Sequence, residues 1–219
     1  MTQVAGDLRD YDVWHAGYDD PNSTLSWRLQ RVQTVIGRVL DTTDGPIRMV
    51  SACAGDGRDI VGVLSQRDDA ARVRATLLEL HPVVAERARA AAVISNLADS
   101  VEVRCVDAGS SDAYADIAPA DLVLLVGIFG NISDQDMRAT VAAGPQLCTA
   151  GATLIWSRGR GGGLVDRNEE VRSWFGAAGF TEIGYVTLDR GSRPAIGVVR
   201  YDGPPVALVP GRRLFTFER

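Results

Sequence analysis

The chain predicts an α/β fold: three layers, α/β/α, around a Rossmann-like, seven-stranded, mostly parallel sheet that closes with an antiparallel C-terminal hairpin. Three observations lead there. Strand-like and helix-like stretches alternate from Ile47 onward, as in a parallel sheet covered on both faces. Leu122-Val123-Leu124-Leu125-Val126 is apolar without a break, which suits a central strand buried on both sides. The last two strand-like runs, Thr181–Leu188 and Ala195–Tyr201, have only Asp189-Arg190-Gly191-Ser192-Arg193-Pro194 between them. No helix fits there, so they pair as a hairpin.

The elements follow in order. Residues 1–44 read as an N-terminal lid segment and helix, ahead of a single domain over 45–219. The opening is polar and aromatic, with Tyr11, Trp14, His15 and Tyr18 among Asp12, Asp19 and Asp20. Ser23 or Ser26 caps a helix whose stripe is Leu25, Leu29, Val32, Ile36 and Leu40, and Asp44-Gly45-Pro46 ends it. Strands are expected at Ile47–Ala52, Val73–Leu80, Val101–Val106, Leu122–Val126 and Thr153–Trp156. Helices are expected at Ile60–Leu64, Pro82–Ser95, Ser133–Ala143 and Val165–Ala178. Pro82 suits a first helical turn, Ser133 with Asp136 forms an N-cap pair, and Gly179 suits a helix end.

Composition bounds the function. The 219 residues are 46% hydrophobic and 23% charged, enough for a sizeable core. A net charge of -5 offers no general attraction for nucleic acid or anionic membrane. No apolar run approaches the roughly 20 residues of a membrane span, and no signal peptide is evident, so a cytoplasmic location is expected. Cys53, Cys105 and Cys148 lack CxxC spacing and read as buried free thiols. With only His15 and His81 beside them, no metal site is expected. Lysine is absent and every basic side chain besides histidine is arginine.

Chemistry concentrates after the first strand, in Ser51-Ala52-Cys53-Ala54-Gly55-Asp56-Gly57. Small residues there let a ligand lie against the backbone and the following helix N-terminus, although an ordinary strand–helix turn reads the same way. Two acids add to it. Glu79 ends the second strand, 24 residues after Gly55, where a carboxylate can take both hydroxyls of a ribose. Asp107 ends the third strand, placed to accept a bond from an adenine amino group. Either acid alone reads equally as a solvated strand end. Together with the loop they converge on the crevice where open α/β sheets bind ligands.

On these residues the stretch from Ile47 to Tyr201 resembles the class I S-adenosylmethionine (SAM) dependent methyltransferases, and in texture a group of small actinobacterial ones. The resemblance implies a seven-stranded sheet and a SAM site made by Ser51, Ala52, Cys53, Gly55, Gly57, Glu79, Leu80, Asp107, Ala108 and Gly127. It departs at the loop, where Ser51 stands for the family's acid and Cys53 for its first glycine. Asp56 and Asp59 are nearby acids that compensate. A nicotinamide dehydrogenase would need a glycine where this chain has Ile60.

The resemblance also implies a lid in which Tyr18 or Tyr11 reaches the methionine end of SAM. His15 is the available general base, since imidazole titrates near neutrality. Tyr11, Trp14, Phe129 and Arg158 are the candidate substrate contacts. Asn131 either meets the substrate or cofactor or simply turns the chain before the next helix. His81 either caps its helix or flanks the adenine beside Leu80. The function implied is methyl transfer to the N, O or C atom of a small molecule. No Asn-Pro-Pro-Tyr-like sequence follows the fourth strand, which disfavours adenine-N6 or glutamine-amide acceptors. The alternatives are an RNA or protein substrate, favoured by a basic face of Arg158, Arg160, Arg190 and Arg193, and a SAM-binding protein without catalysis.

Overall fold

The computed structural model describes residues 16–161 and 165–218. One sheet of seven strands organises them, in the order β3-β2-β1-β4-β5-β7-β6. The strands are β1 Ile47–Ala52, β2 Val73–Leu78, β3 Val101–Arg104, β4 Ala120–Leu125, β5 Cys148–Gly159, β6 Phe180–Thr187 and β7 Pro194–Tyr201. β1 to β5 pair in parallel, and β7 runs antiparallel between β5 and β6. The strand order reverses beside β1, between β2 and β4. That opens a crevice above the carboxyl ends of these strands.

Among the described residues five α-helices cover the sheet: α1 Thr24–Thr42, α2 Arg58–Leu64, α3 Pro82–Ile94, α4 Asp134–Leu147 and α5 Asn168–Ala177. The side-chain alternation of each strand feeds two cores. Met49, Leu77, Leu122 and Leu124 join Ile36, Ile60 and Ala88 on the face of α1, α2 and α3. Val50, Val123, Leu125 and Trp156 join Val141 and Phe175 on the face of α4 and α5. This double burial is why β4 is apolar from Leu122 to Leu125. Ser23 caps α1 by accepting the Ser26 N–H at 3.0 Å. Ser133 caps α4 by accepting the Asp136 N–H at 3.0 Å.

Several boundaries differ from expectation. β2 and β3 each stop two residues sooner, which leaves Glu79 and Asp107 on loops rather than on strand ends. β5 spans 12 residues because Gly151, at φ 82°, lets the chain kink and keep pairing. α4 continues through Pro145 to Leu147. Pro145 sits in the last turn, where only one helical bond is lost, and burial of Leu147 offsets it. Of the three free thiols only Cys148 is fully buried, and burial pushes its pKa up to about 12. Cys105 is exposed, contrary to the buried thiol expected.

The core on the α4–α5 side is aromatic. Trp156 stacks on Phe175 with centroids 6.0 Å apart and meets Phe129 at 6.1 Å. Gly197 on β7 makes room for it: a Cβ there would stand 2.2 Å from the Trp156 indole. Gly197→Ala is therefore expected to lower stability by about 1–3 kcal/mol through overpacking. Urea unfolding checks this by a lower midpoint at constant slope. An unchanged midpoint would mean that the indole moves aside freely.

Candidate functional site

The crevice begins where β1 ends. Three residues in quick succession take left-handed backbone angles: Cys53 at φ 52°, Gly55 at φ 59° and Gly57 at φ 73°. Gly57 is required twice over, because a Cβ there would also strike Leu77 at 2.6 Å. The turn is held by the Ala54 N–H donating to the Leu78 carbonyl at 2.9 Å and the Gly57 N–H donating to Ala54 at 3.1 Å. α2 starts directly after it, with Gly57 as its N-cap.

Glu79 locks this turn to the neighbouring strand. One carboxylate oxygen accepts the Gly55 N–H at 2.9 Å and the other accepts the His81 N–H at 2.8 Å. A carboxylate has about four acceptor positions, so each oxygen keeps capacity for a ligand hydroxyl. Beside it Leu80 is 63% exposed, an apolar surface at the rim of a polar crevice. His81 does not cap α3 with its side chain. Both of its ring nitrogens are buried without a hydrogen-bond partner.

Asp107 lies in the loop after β3. One oxygen accepts the Gly109 N–H at 2.8 Å and the other pairs with Arg213 at 2.5 Å. Ala108 is buried, and its carbonyl accepts the Tyr114 hydroxyl at 2.9 Å. The Cys53 thiol sits among these groups. Burial first, then the charges of Glu79 and Asp107, push its pKa far above the ordinary thiol range. The loop and both acids therefore share one electrostatic neighbourhood. Ser51 and Ala52 are buried at the end of β1.

Gly127 follows β4 at φ 79°. Its N–H donates to Ser157 Oγ at 2.9 Å, and its carbonyl accepts the Asn131 side-chain amide at 2.8 Å. Asn131 thus braces the turn, the second of its two expected roles. The N-terminal part of the chain reaches the same place. Arg28 on α1 donates to the Tyr18 hydroxyl at 2.7 Å, and its guanidinium would be 3.6 Å from a Cβ on Gly127. Arg58, paired with Asp56, lies 4.3 Å over the Tyr18 ring. Tyr11, Trp14 and His15 lie outside the described residues.

Two expected substrate contacts are corrected. Phe129 is fully buried between Trp156 and Phe175, so no substrate can touch it. Arg158 is 6% exposed; its guanidinium donates to the carbonyls of Phe129, Gly159 and Val165. It closes the end of β5 instead of facing the crevice. The basic face does not form with it: Arg160 and Arg193 both reach Asp189, at 2.6 and 3.8 Å.

Arg28 and Arg213 were not singled out by sequence. Only the apolar Leu214-Phe215 hinted that the region near Arg213 packs against the domain. Among the described residues no cluster of three or more His, Cys, Asp or Glu could hold a metal, and no helix is long and apolar enough to cross a membrane.

No family model and no curated protein sequence matches the chain. Solved structures do match. Magnesium protoporphyrin IX methyltransferase from Synechocystis PCC 6803, with SAM bound, superposes with a TM-score of 0.66 at 14% identity over 91% of this chain and 98% of that one. The chain has the fold of these enzymes. A 1,6-didemethyltoxoflavin-N1-methyltransferase from Burkholderia thailandensis, with its substrate and S-adenosylhomocysteine (SAH) bound, gives 0.63 at 15% identity over 91% and 87%. The cyclase SpnF also matches, with a TM-score of 0.56 at 16% identity over 80% and 82%. Fold alone therefore leaves the reaction open, and the site must carry that argument.

Asp59, one of the two acids expected to compensate for Ser51, lies on the first turn of α2. Its carboxylate accepts the Ile60 N–H at 2.9 Å. Burial, opposed by that bond and by Arg28, raises its pKa to about 6. The unfolded value is about 3.9, so ionisation costs the folded state. Stability is greatest below the unfolded value and falls as pH rises through roughly 4 to 6. Asp59→Asn is expected to raise the melting temperature above wild type at about pH 7.5 and to match it near pH 4. Parallel curves across that range would show that Asp59 titrates normally.

Proposed function

We propose that this chain is a SAM-dependent methyltransferase acting on a small molecule, by in-line transfer to N, O or C. One observation carries the reading. Glu79 holds the left-handed turn after β1 through the Gly55 N–H and still has acceptor capacity on the crevice side. That is the arrangement a ribose diol beside a backbone-lined turn calls for.

The neighbouring residues fit the same ligand. The exposed Leu80 offers a face for a purine, and Asp107 an acceptor for its amino group. The turn from Cys53 to Gly57, with Gly127 opposite, leaves backbone rather than side chains against the amino-acid end. Tyr18 and Arg28 lie at that end, where a guanidinium and a phenol suit a carboxylate. SAM, when bound, supplies a methyl group already activated on a sulfonium. The protein's part is then to bind, to align the acceptor and to exclude water. In this reading the N-terminal segment through Tyr18 is the lid, and Tyr11, Trp14 and His15, which lie outside the described residues, are its candidate substrate contacts and general base. An enclosed aromatic lid suits a small acceptor.

The charge distribution supports a small acceptor over RNA or an acidic protein. Net charge is -5. Arg158 is buried in its own hydrogen bonds, and Arg160 and Arg193 are occupied by Asp189. The arginine-only basic complement is consistent with a small actinobacterial enzyme and a cytoplasmic setting.

Glu79→Ala is expected to weaken SAM binding by about 1–3 kcal/mol, the value of one or two hydrogen bonds at a charged acceptor. Titration calorimetry measures it, with a thermal melt to confirm that the variant folds. Equal affinity would remove Glu79 from the site. Absence of SAM binding by the wild-type protein would end the reading altogether. SAM binding with no SAH released across a broad acceptor panel would favour a binding protein without catalysis.

A further inference from the structure

Residues 203–218 do more than trail from β7. They cross the carboxyl edge of the sheet and tie the loop after β3 to the loop after β4. On the β3 side, Ser111 and Arg212 exchange bonds: the Ser111 N–H donates to the Arg212 carbonyl at 2.9 Å, and the Arg212 N–H to Ser111 Oγ at 2.9 Å. The Leu214 N–H donates to the Gly109 carbonyl at 2.7 Å. On the β4 side, the Thr216 N–H donates to Asp136 at 2.9 Å and the Glu218 N–H to the Asn131 carbonyl at 2.9 Å. Leu214 and Phe215 are buried between these anchors. The path is tight at Gly109, where a Cβ would stand 2.3 Å from the Phe215 carbonyl oxygen and 2.8 Å from the Arg213 guanidinium.

This path delivers Arg213 to Asp107. With the Gly109 N–H on one carboxylate oxygen and Arg213 on the other, both ends of the carboxylate are fixed. The two bonds orient its plane and aim its remaining acceptor positions before a ligand arrives. Ordering an acceptor in advance removes an entropic cost from binding. We infer that Arg213 is a positioning residue for the adenine end of the site: it aims Asp107 at the purine amino group and so sharpens selection for adenine. The inference rests on the cofactor reading above. It adds a residue from a segment that the crevice residues themselves do not include.

The test compares two probes by calorimetry: SAH, whose purine carries an amino donor, and S-inosylhomocysteine, whose purine carries a carbonyl acceptor there. Arg213 is half exposed, so Arg213→Ala should fold, and a melting curve verifies it. The expected result is roughly three- to tenfold weaker SAH binding, about one hydrogen bond's worth. The preference for SAH over the inosyl probe should fall by a similar factor, and Arg213→Lys should restore part of it. A mere surface ion pair would change neither ligand, or both equally, and either outcome overturns the inference. Tighter SAH binding in Arg213→Ala would overturn it too, showing that Arg213 competes with the purine. Failure of the wild-type protein to bind SAH would instead sink the cofactor reading, and this inference with it.

Discussion

The site depends on the Glu79 carboxylate and its two backbone bonds. Three left-handed residues within five positions make the turn after β1 expensive to order. Of its own side chains, Asp56 turns to Arg58. Glu79 supports the turn from the loop just after β2, through charge-assisted bonds to Gly55 and His81. The parallel pairing of β1 with β2 sets the reach, because Ala52 lies in register with Leu78. Sheet register, turn and acid are thus one device. A change at any of them reaches the crevice.

The same constraint accounts for the irregular turn. Cys53 occupies a left-handed position where a glycine would be free of strain, at a cost on the order of 1 kcal/mol. Its thiol is kept neutral by burial and by the charges of Glu79 and Asp107. A third carboxylate at position 51 would add like charge to that neighbourhood. Ser51 adds none. The positive charge at this mouth comes from the opposite side instead, through Arg28 beside Gly127. The geometry of the turn is kept by Glu79 from outside.

Much of this was legible in the chain. Apolar alternation marked the strands, unbroken apolarity marked β4 as central, and the acids were found as expected strand ends, although β2 and β3 stop short of them. What failed was sidedness. Arg158 lies two residues beyond Trp156 on β5, so both point to the α4–α5 face, where Arg158 is buried by Phe129, Gly159 and Val165. Strand parity alone contained that answer. Phe129 is a different case: it lies past the strand, where period two no longer applies, and only packing against Trp156 and Phe175 decides its direction. Asp136 is a third. Sequence paired it with Ser133 as a cap, and Ser133 does accept its N–H, but its carboxylate turns to Thr216. Nothing local predicts a partner 80 residues away.

That distant partner points to a general property of open α/β sheets. Their ligand crevices are built from loops at strand ends, the parts of the fold with the least support of their own. In this chain β2 supports the turn after β1, Ser157 on β5 supports Gly127, and residues 203–218 support the loops after β3 and β4. Each loop is held by an element remote in sequence. The crevice therefore rests on the sheet and on the last segment together. Its geometry is a product of the complete tertiary structure, which is why so short and irregular a turn after β1 can still be specific.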